Sequence, residues 1–382
     1  MPKSQKLVEF SWASIFAFIL IERAGVLLNF YSEIPKILLL SLKYSAILLS
    51  VAALIKFQPS VKWKFKPLLM LPLMLITIQT FLNITSYTSF QEYQTFFSWF
   101  FVTLNCYLFG LKFNLLLRLL LLSNSISLLS ILLGSKAWSV DGRLEFLSLP
   151  GRLTGLFGQP NVTALAAAFT IVHLWGKNAN KLNLLVAFIV LGLSASLTVI
   201  SGLVLAGIYL LVFKRFGKLL QLFFHISLLA ISIFYPFLIL FSQIDSTEAK
   251  RFTGRVAIWD WTIQKITEPS FIPQIDLYSN LYQSESSHIV WFHAHNQFLM
   301  NWATGGLSMA IFGICLLLVI ILVAVQGKAN SSLKFAIVTI LLLNVIFEVP
   351  LTLDKLDARL LLLIFVISSI SPKESSTTKV NP

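Results

Sequence analysis

Charged side chains are scarce in this sequence. Asp, Glu, Lys and Arg make up 12% of the 382 residues, whereas 57% are hydrophobic, and the mean hydropathy is +0.83. Soluble domains carry roughly 25% charged residues, so this composition excludes an ordinary soluble globular protein. The sequence predicts a polytopic membrane protein.

Cysteine is scarcer still, with only Cys106 and Cys315 in the chain. Both fall within predicted membrane spans, so neither a disulfide framework nor a thiolate metal site is predicted. The sequence also lacks a repeat of fixed period, a low-complexity tract and a soluble domain. Residues 1–382 are therefore predicted to form a single integral membrane domain that ends in a disordered tail from about residue 371.

Long apolar runs recur from end to end and predict the architecture. A helix needs roughly twenty apolar residues to cross about 30 Å of hydrocarbon, so we expect an all-α protein of about 12 transmembrane helices. The predicted spans are 7–28, 35–56, 67–85, 93–110, 113–134, 160–176, 181–198, 200–214, 218–242, 295–325, 333–350 and 357–371. Glu22 and Arg23 argue against a cleavable signal in the first span, so it is predicted to remain as a helix.

Acidic residues are few, 16 against 29 Lys and Arg, which gives a net charge of +13. The basic residues concentrate in every second short loop, and the positive-inside rule assigns those loops to the cytoplasm. Both termini are therefore predicted to be cytoplasmic. Topology and attraction to anionic lipid explain the net charge, so no nucleic-acid partner is predicted.

Three polar segments interrupt the apolar pattern on the predicted outer face: residues 149–161, a tight turn near 196–202, and a long loop from about 243 to 294. The first reads "LPGRLTGLFGQPN". A turn followed by a helix cap at Asn161 explains its glycines and the asparagine. It does not explain Arg152, a permanent charge close to the bilayer.

The long loop contains "AKRFTGRVAIWDWTIQKI" (249–266), in which Arg255 and Trp259 are spaced as on one face of a helix. We expect a short helix on the membrane surface there, with its tryptophans at the interface. Arg251 and Arg255 would join Arg152 in a cationic patch. Guanidinium groups bind phosphate oxygens in bidentate geometry, so a diphosphate headgroup is the predicted ligand.

The segment "FHAHNQFL" holds two of the five histidines, His293 and His295. It is open to three interpretations: a metal site, a helix start capped by Asn296, or a catalytic base at the membrane surface. The further ligands that a metal site could recruit are His288, Asp276 and Glu285. Their spacing matches no established metal motif, so the metal interpretation is the weaker one. From the residues alone, the helix start is favoured.

Taken together, these segments resemble a known family. "GRLTGLFGQPN", the Leu-Thr turn near 197–202, "FTGRVAIWDWTI" and "HAHNQFLMNWATGGL" occur in the order seen in the O-antigen ligase and polysaccharide polymerase superfamily. The resemblance covers roughly residues 150–310. It implies a glycosyltransferase, without metal or cofactor, that uses a polyprenyl-diphosphate-linked oligosaccharide at the outer face of the bacterial cytoplasmic membrane. The acceptor would be a second glycan in a polymerase of surface polysaccharide, which is the favoured choice, a lipid A core in a ligase, or a protein in a protein-glycosylating transferase.

The resemblance also implies roles for residues at matching motif positions. His295 resembles the base that accepts the acceptor hydroxyl's proton, oriented by Asn296, and Arg255 resembles a diphosphate clamp. The remaining residues implied in substrate binding are Arg152, Asn161, Arg251 and His293. Membrane lipid and a chain-length regulator are further implied partners.

The sequence departs from the family pattern at two places. The family carries a Ser-Arg pair in the turn after Leu-Thr, whereas here Ser201 precedes Gly202, so Arg251 or Arg143 would have to supply the missing contact. Met309 stands where a second glycine would follow Gly306.

Two questions stay open from the sequence. Glu348 in "FEVP" is either a substrate contact or an interfacial charge. A transporter or flippase is the alternative from another functional class, although the polar motifs gather at one predicted face, which favours surface catalysis.

Overall fold

We analysed a computed structural model of the chain. The structure describes residues 3–28, 34–56, 113–139, 149–175, 181–212, 217–241, 255–269, 271, 294–326 and 331–349, together with residues 362, 363, 365, 366 and 369. Helices account for 86% of the described residues, which confirms a mostly helical protein. The one sheet in this part of the chain is a pair of two-residue strands.

The elements follow one another as a series of helices with a small antiparallel sheet after the third. The helices are α1 (Lys3–Leu28), α2 (Lys36–Lys56), α3 (Phe113–Leu129), α4 (Pro160–Leu174), α5 (Lys181–Ser194), α6 (Leu197–Leu211), α7 (Lys218–Phe241), α8 (Arg255–Thr267), α9 (Gln297–Gln326) and α10 (Ser331–Phe347). A 3-10 helix, Ser130–Ala137, follows α3. Strand β1 (Trp138–Ser139) pairs with β2 (Arg152–Leu153).

Three of the described helices contain segments long and apolar enough to cross a membrane: Glu9–Leu28, Leu116–Gly134 and Lys218–Phe241. Shorter apolar helices are Pro160–Leu174, Lys181–Ser194, Leu197–Leu211, Met309–Val325 and Leu333–Phe347. Such helices support a membrane protein. The predicted spans 67–85 and 93–110 lie outside the described residues, and 357–371 is described at only five positions, so the number of twelve spans stays a prediction.

Two predicted boundaries need correction. The turn expected near 196–202 is made by Ala195 and Ser196 instead, because α6 already begins at Leu197. The predicted span 295–325 is interrupted at Gly306, whose φ of 76° and ψ of 178° are not helical. Only glycine adopts that backbone conformation readily, so α9 consists of two helical segments joined at this residue.

Helices α6 and α10 pack closely at the centre of the main hydrophobic core. A Cβ on Gly202 would lie 3.3 Å from the Cα of Ile340, so the glycine permits two backbones to approach. Further along, the Tyr209 ring of α6 packs at a tilt against the Phe335 ring of α10, with ring centroids 5.6 Å apart. These two contacts show that α6 and α10 run antiparallel.

A second hydrophobic cluster joins α8 to the end of α7 and the first segment of α9. Its buried members are Ile239, Ile258, Trp259, Ile266, Ala294, Leu299 and Ala303. The helix predicted from the spacing in 249–266 is thus present as α8, with one side packed in this cluster. The expectation of an interfacial Trp259 was wrong, because its side chain is fully buried and its indole Nε1 donates to the Ala294 carbonyl at 2.9 Å.

Those residues of the predicted site that the structure describes lie at one end of the helical bundle. The contact between Gly202 and Ile340 lies within about two helical turns of the start of α6 and of the end of α10. Ser194, which binds Arg152, ends α5 just before α6 begins. Glu348 follows the end of α10. The antiparallel packing therefore brings both groups to the same end.

Candidate active site

Asn296 fixes the start of α9. Its side-chain Oδ1 accepts a hydrogen bond from the backbone N–H of Leu299 at 3.0 Å, which is the geometry of a helix N-cap. This confirms the capping role expected from the sequence. Its Nδ2 donates to the carbonyls of Ser232 in α7 at 2.9 Å and Ile346 in α10 at 3.0 Å. One fully buried amide therefore ties three helices together, and a direct substrate contact by Asn296 stays a prediction.

His295 has a backbone conformation that is rare outside glycine. Its φ is +50°, a left-handed value that costs roughly 1 to 2 kcal/mol for a residue with a Cβ. The residues on both sides hold it there, since the Ala294 carbonyl accepts from Trp259 and Asn296 caps the helix. The turn sets the direction of the imidazole relative to α10.

Glu348 connects the two residues that the sequence analysis selected as catalytic. Its Oε1 accepts from the Nη2 of Arg255 at 2.8 Å, and its Oε2 lies 3.6 Å from the Nδ1 of His295. The second distance is too long for a hydrogen bond, but it places the carboxylate beside the imidazole. Exposed fractions of the side chains are 8% for Glu348, 17% for Arg255 and 33% for His295, so the histidine is the most accessible of the three.

The position of Glu348 depends on Asn296. The backbone N–H of Glu348 continues the helical hydrogen bonding of α10 by donating to Asn344 at 2.8 Å. Asn296 holds the carbonyl of Ile346, two residues before the glutamate. The same side chain thus sets the backbone next to His295 and the backbone next to Glu348. Glu348 is therefore an internal partner of Arg255 and His295, and a direct substrate contact stays a prediction.

Arg152 and Asn161 form a second polar group at this end of the bundle. The Nε of Arg152 donates to the Ser194 carbonyl at 2.8 Å, and its Nη2 donates to Asn161 Oδ1 at 2.6 Å. The predicted cap at Asn161 was wrong, because α4 begins at Pro160 and its N-cap is Gln159. Proline is favoured in the first turn of a helix, which places the N-cap two residues earlier, at Gln159, and leaves the Asn161 side chain to bind Arg152.

The segment between β2 and α4 is held by hydrogen bonds to its neighbours. Thr154 Oγ1 donates to the Ala137 carbonyl at 2.9 Å, and Thr163 Oγ1 donates to the Thr154 carbonyl at 2.6 Å. The N–H of Leu156 donates to Ser127 Oγ at 2.9 Å. These bonds fix the backbone of the glycine-containing segment.

A second arginine at this segment was not predicted from the sequence. Arg23 of α1 donates through Nε to the Gly155 carbonyl at 3.2 Å and through Nη2 to Thr154 Oγ1 at 2.9 Å. From the sequence, Arg23 served only to argue against a signal peptide. Its position inside a predicted span was a usable signal, because ionisable residues within spans are rare and usually functional.

The structure therefore arranges the predicted residues in two groups, His295 with Arg255 and Arg152 with Asn161. Arg251 and His293 lie outside the described residues, as does Arg143. Ser201 lies exposed within α6. In the family pattern an arginine would follow this serine.

The metal interpretation depends on residues that lie outside the described part of the chain. The histidine and acidic candidates in question are His288, His293, Asp276 and Glu285. Among the described residues, no group of three or more His, Cys, Asp or Glu side chains converges on one point.

Comparison with protein-family models, with curated proteins and with solved structures gives no match for this chain.

Proposed function

We propose that the protein is a membrane glycosyltransferase that moves a glycan from a polyprenyl-diphosphate carrier to an acceptor hydroxyl. The observation that carries this proposal is the contact of the Glu348 carboxylate with both Arg255 and His295. It joins a titratable group, a fixed cation and an orienting carboxylate at one end of an apolar bundle. The motif order described above supplies the reaction class.

His295 is the proposed general base. With the carboxylate of Glu348 next to Nδ1, the favoured tautomer carries its proton on Nδ1, and Nε2 takes the proton of the acceptor hydroxyl. A carboxylate in this place also stabilises the imidazolium that forms. Apo geometry at catalytic groups is often longer than in the complex with substrate, so a distance of 3.6 Å is compatible with this role.

In the proposed reaction, one bond to the anomeric carbon of the donor sugar breaks and another forms. The acceptor oxygen bonds to that carbon, and the bond from the carbon to the diphosphate oxygen breaks with its electron pair. The hydroxyl proton goes to His295. The polyprenyl diphosphate leaves as an anion, and guanidinium groups stabilise the charge that develops on it.

Arg255 has two tasks in this scheme. Its bond to Glu348 holds the carboxylate beside His295, and its guanidinium keeps a permanent positive charge. We propose that this charge also stabilises the diphosphate. Asn296 acts through His295 and Glu348 as a positioning residue.

The proposed setting is the bacterial cytoplasmic membrane, crossed about twelve times, with both termini in the cytoplasm and the site at the outer face. Polymerisation of polysaccharide repeat units is the favoured reaction, and transfer to a lipid A core is the other member of the same class. A transporter is the second candidate, because broken helices form substrate sites in transporters and α9 is broken at Gly306.

An assay of reaction products separates these functions. Purified protein in liposomes receives a polyprenyl-diphosphate oligosaccharide, with and without a lipid A core, and mass spectrometry follows the products. Longer lipid-linked chains identify a polymerase, and core-linked glycan identifies a ligase. Movement of the lipid across the bilayer without a new glycosidic bond would refute the glycosyltransferase and select the transporter.

A further inference from the structure

Arg23 is a half-buried cation whose hydrogen-bond partners are neutral. Near the C-terminal end of α1, its guanidinium donates to the Gly155 carbonyl and to the Thr154 hydroxyl. Among the described residues, no carboxylate lies within ion-pair distance of it; the ion pairs found there involve Arg255, Lys265 and His295. Arg23 thus differs from Arg255, whose charge is compensated by Glu348.

A partly buried charge without a counter-ion is costly in an apolar protein. Removal from water is not repaid by neutral hydrogen-bond acceptors alone, and arginines within apolar helices mark ligand or ion sites more often than structural ones. The carbonyl and hydroxyl hold the guanidinium in place without neutralising it. An anion is the ligand that would complete this environment.

The segment beside Arg23 approaches the guanidinium through a glycine. Gly158 has a φ of +71°, and a Cβ at this position would lie 3.4 Å from the Arg23 Nη1 and Cζ. The glycine therefore keeps one face of the guanidinium clear of a side chain. The segment is also rigid, because Thr154 and Leu156 bond to Ala137 and Ser127. A fixed backbone next to an uncompensated fork is a preorganised phosphate site.

A second guanidinium belongs to the same segment. Arg152 lies two residues before Thr154, and it is largely buried, with its Nε on the Ser194 carbonyl and its Nη2 on Asn161. The segment is thus bordered by two arginines. Two guanidinium groups match the charge of a diphosphate better than that of a single phosphate.

We infer that Arg23, together with the Thr154–Gly158 segment, binds a phosphate group of a polyprenyl diphosphate. This inference rests on the proposed function for the identity of the lipid, and it adds α1 to the donor site. Arg23 contacts the substrate in this arrangement and supplies charge where the leaving group departs.

Binding of a short donor analogue tests the inference without turnover. Full-length protein in phosphatidylcholine nanodiscs is titrated calorimetrically with farnesyl diphosphate, with farnesyl monophosphate and with inorganic diphosphate. We expect Arg23→Gln to weaken binding of farnesyl diphosphate about tenfold or more, because a charge-assisted bidentate contact is lost. Arg118→Gln is the matched control, since Arg118 is an exposed arginine of α3. The affinity of this variant for farnesyl diphosphate should stay within about twofold of wild type.

The outcomes are distinct. Equal affinities of Arg23→Gln and wild type for farnesyl diphosphate would overturn the inference. If Arg23→Gln weakened the binding of phosphatidylglycerol added to the nanodiscs by the same factor, the inference would also be overturned, because the site would then bind any anionic headgroup. If Arg23→Gln does not purify as a folded protein, Arg23→Lys decides: weaker binding at an unchanged melting temperature supports the inference, and unchanged binding refutes it.

A failure of the proposed function gives a different result. A wild type that binds farnesyl diphosphate in an Arg23-dependent way but forms no glycosidic bond would refute the glycosyltransferase and support the binding site. A wild type that forms the bond, with an Arg23→Gln variant that binds and turns over equally well, would refute the inference alone.

Discussion

Glu348 Oε1 lies 2.8 Å from the Nη2 of Arg255, although 93 positions separate the two residues in the sequence. The bond joins the end of α10 to the first residue of α8. Glu348 also faces His295, so this contact sets how the carboxylate is held beside the imidazole.

Removing the charge of Glu348 should destabilise the protein. Glu348→Gln leaves the largely buried Arg255 without its counter-charge, and breaking such a pair from one side costs up to about 3 kcal/mol. The melting temperature should therefore fall. The double variant Arg255→Met/Glu348→Met should recover much of the loss, since it leaves no unpaired charge. An exposed pair at the end of α8, Lys265–Glu268, gives the control: Glu268→Gln should change stability by less than about 0.5 kcal/mol.

The cap at Asn296 should contribute measurably to stability. Asn296→Ala removes the bond to the Leu299 N–H and leaves the Ser232 and Ile346 carbonyls without their donor, at a cost of about 2 kcal/mol or more. Thermal unfolding measures this loss. Ser196 is the matched comparison, because it is a buried N-cap of α6 whose side chain makes no cap bond. If Ser196→Ala lowered the melting temperature as much as Asn296→Ala, loss of the cap would not explain the loss of stability.

The break in α9 should resist substitution. Gly306→Ala forces a Cβ into a conformation with φ of 76° and ψ of 178°, a strain of about 1 to 3 kcal/mol. Gly207 lies within α6, and a Cβ there would meet no atom within 4 Å, so Gly207→Ala should be neutral or stabilise by up to about 1 kcal/mol. The melting temperatures of both variants test this. Equal melting temperatures would mean that the protein does not require the break in α9 at Gly306.

Local patterns in the sequence predicted local structure well. The helix spacing in 249–266 predicted α8, and the polar residue before "QFLMNW" predicted the cap at Asn296, because both depend on neighbouring residues. The cap at Asn161 failed for a local reason too: Pro160 is the first residue of α4, so the N-cap lies two residues earlier, at Gln159.

Long-range pairings could not be read from the sequence. Glu348 and Arg255 meet only because α10 packs beside α7 and α9, and nothing in "FEVP" specifies that partner. The contact of Arg23 with Gly155 spans 132 positions. Gly202 suggested a turn, but the structure uses it for the approach of two helix backbones, which spacing alone does not distinguish.

The central claim is that His295 and Glu348 act as one unit in glycan transfer, and the rate of glycosidic bond formation tests it most directly. With a polyprenyl-diphosphate oligosaccharide as donor, His295→Ala should slow the single-turnover rate about 100- to 10,000-fold, the usual contribution of a general base. Glu348→Gln should lower kcat with little change in KM. The double variant His295→Ala/Glu348→Gln should be only slightly slower than His295→Ala, because the effects of groups that act together are not additive. Transfer at the wild-type rate by His295→Ala would contradict the account.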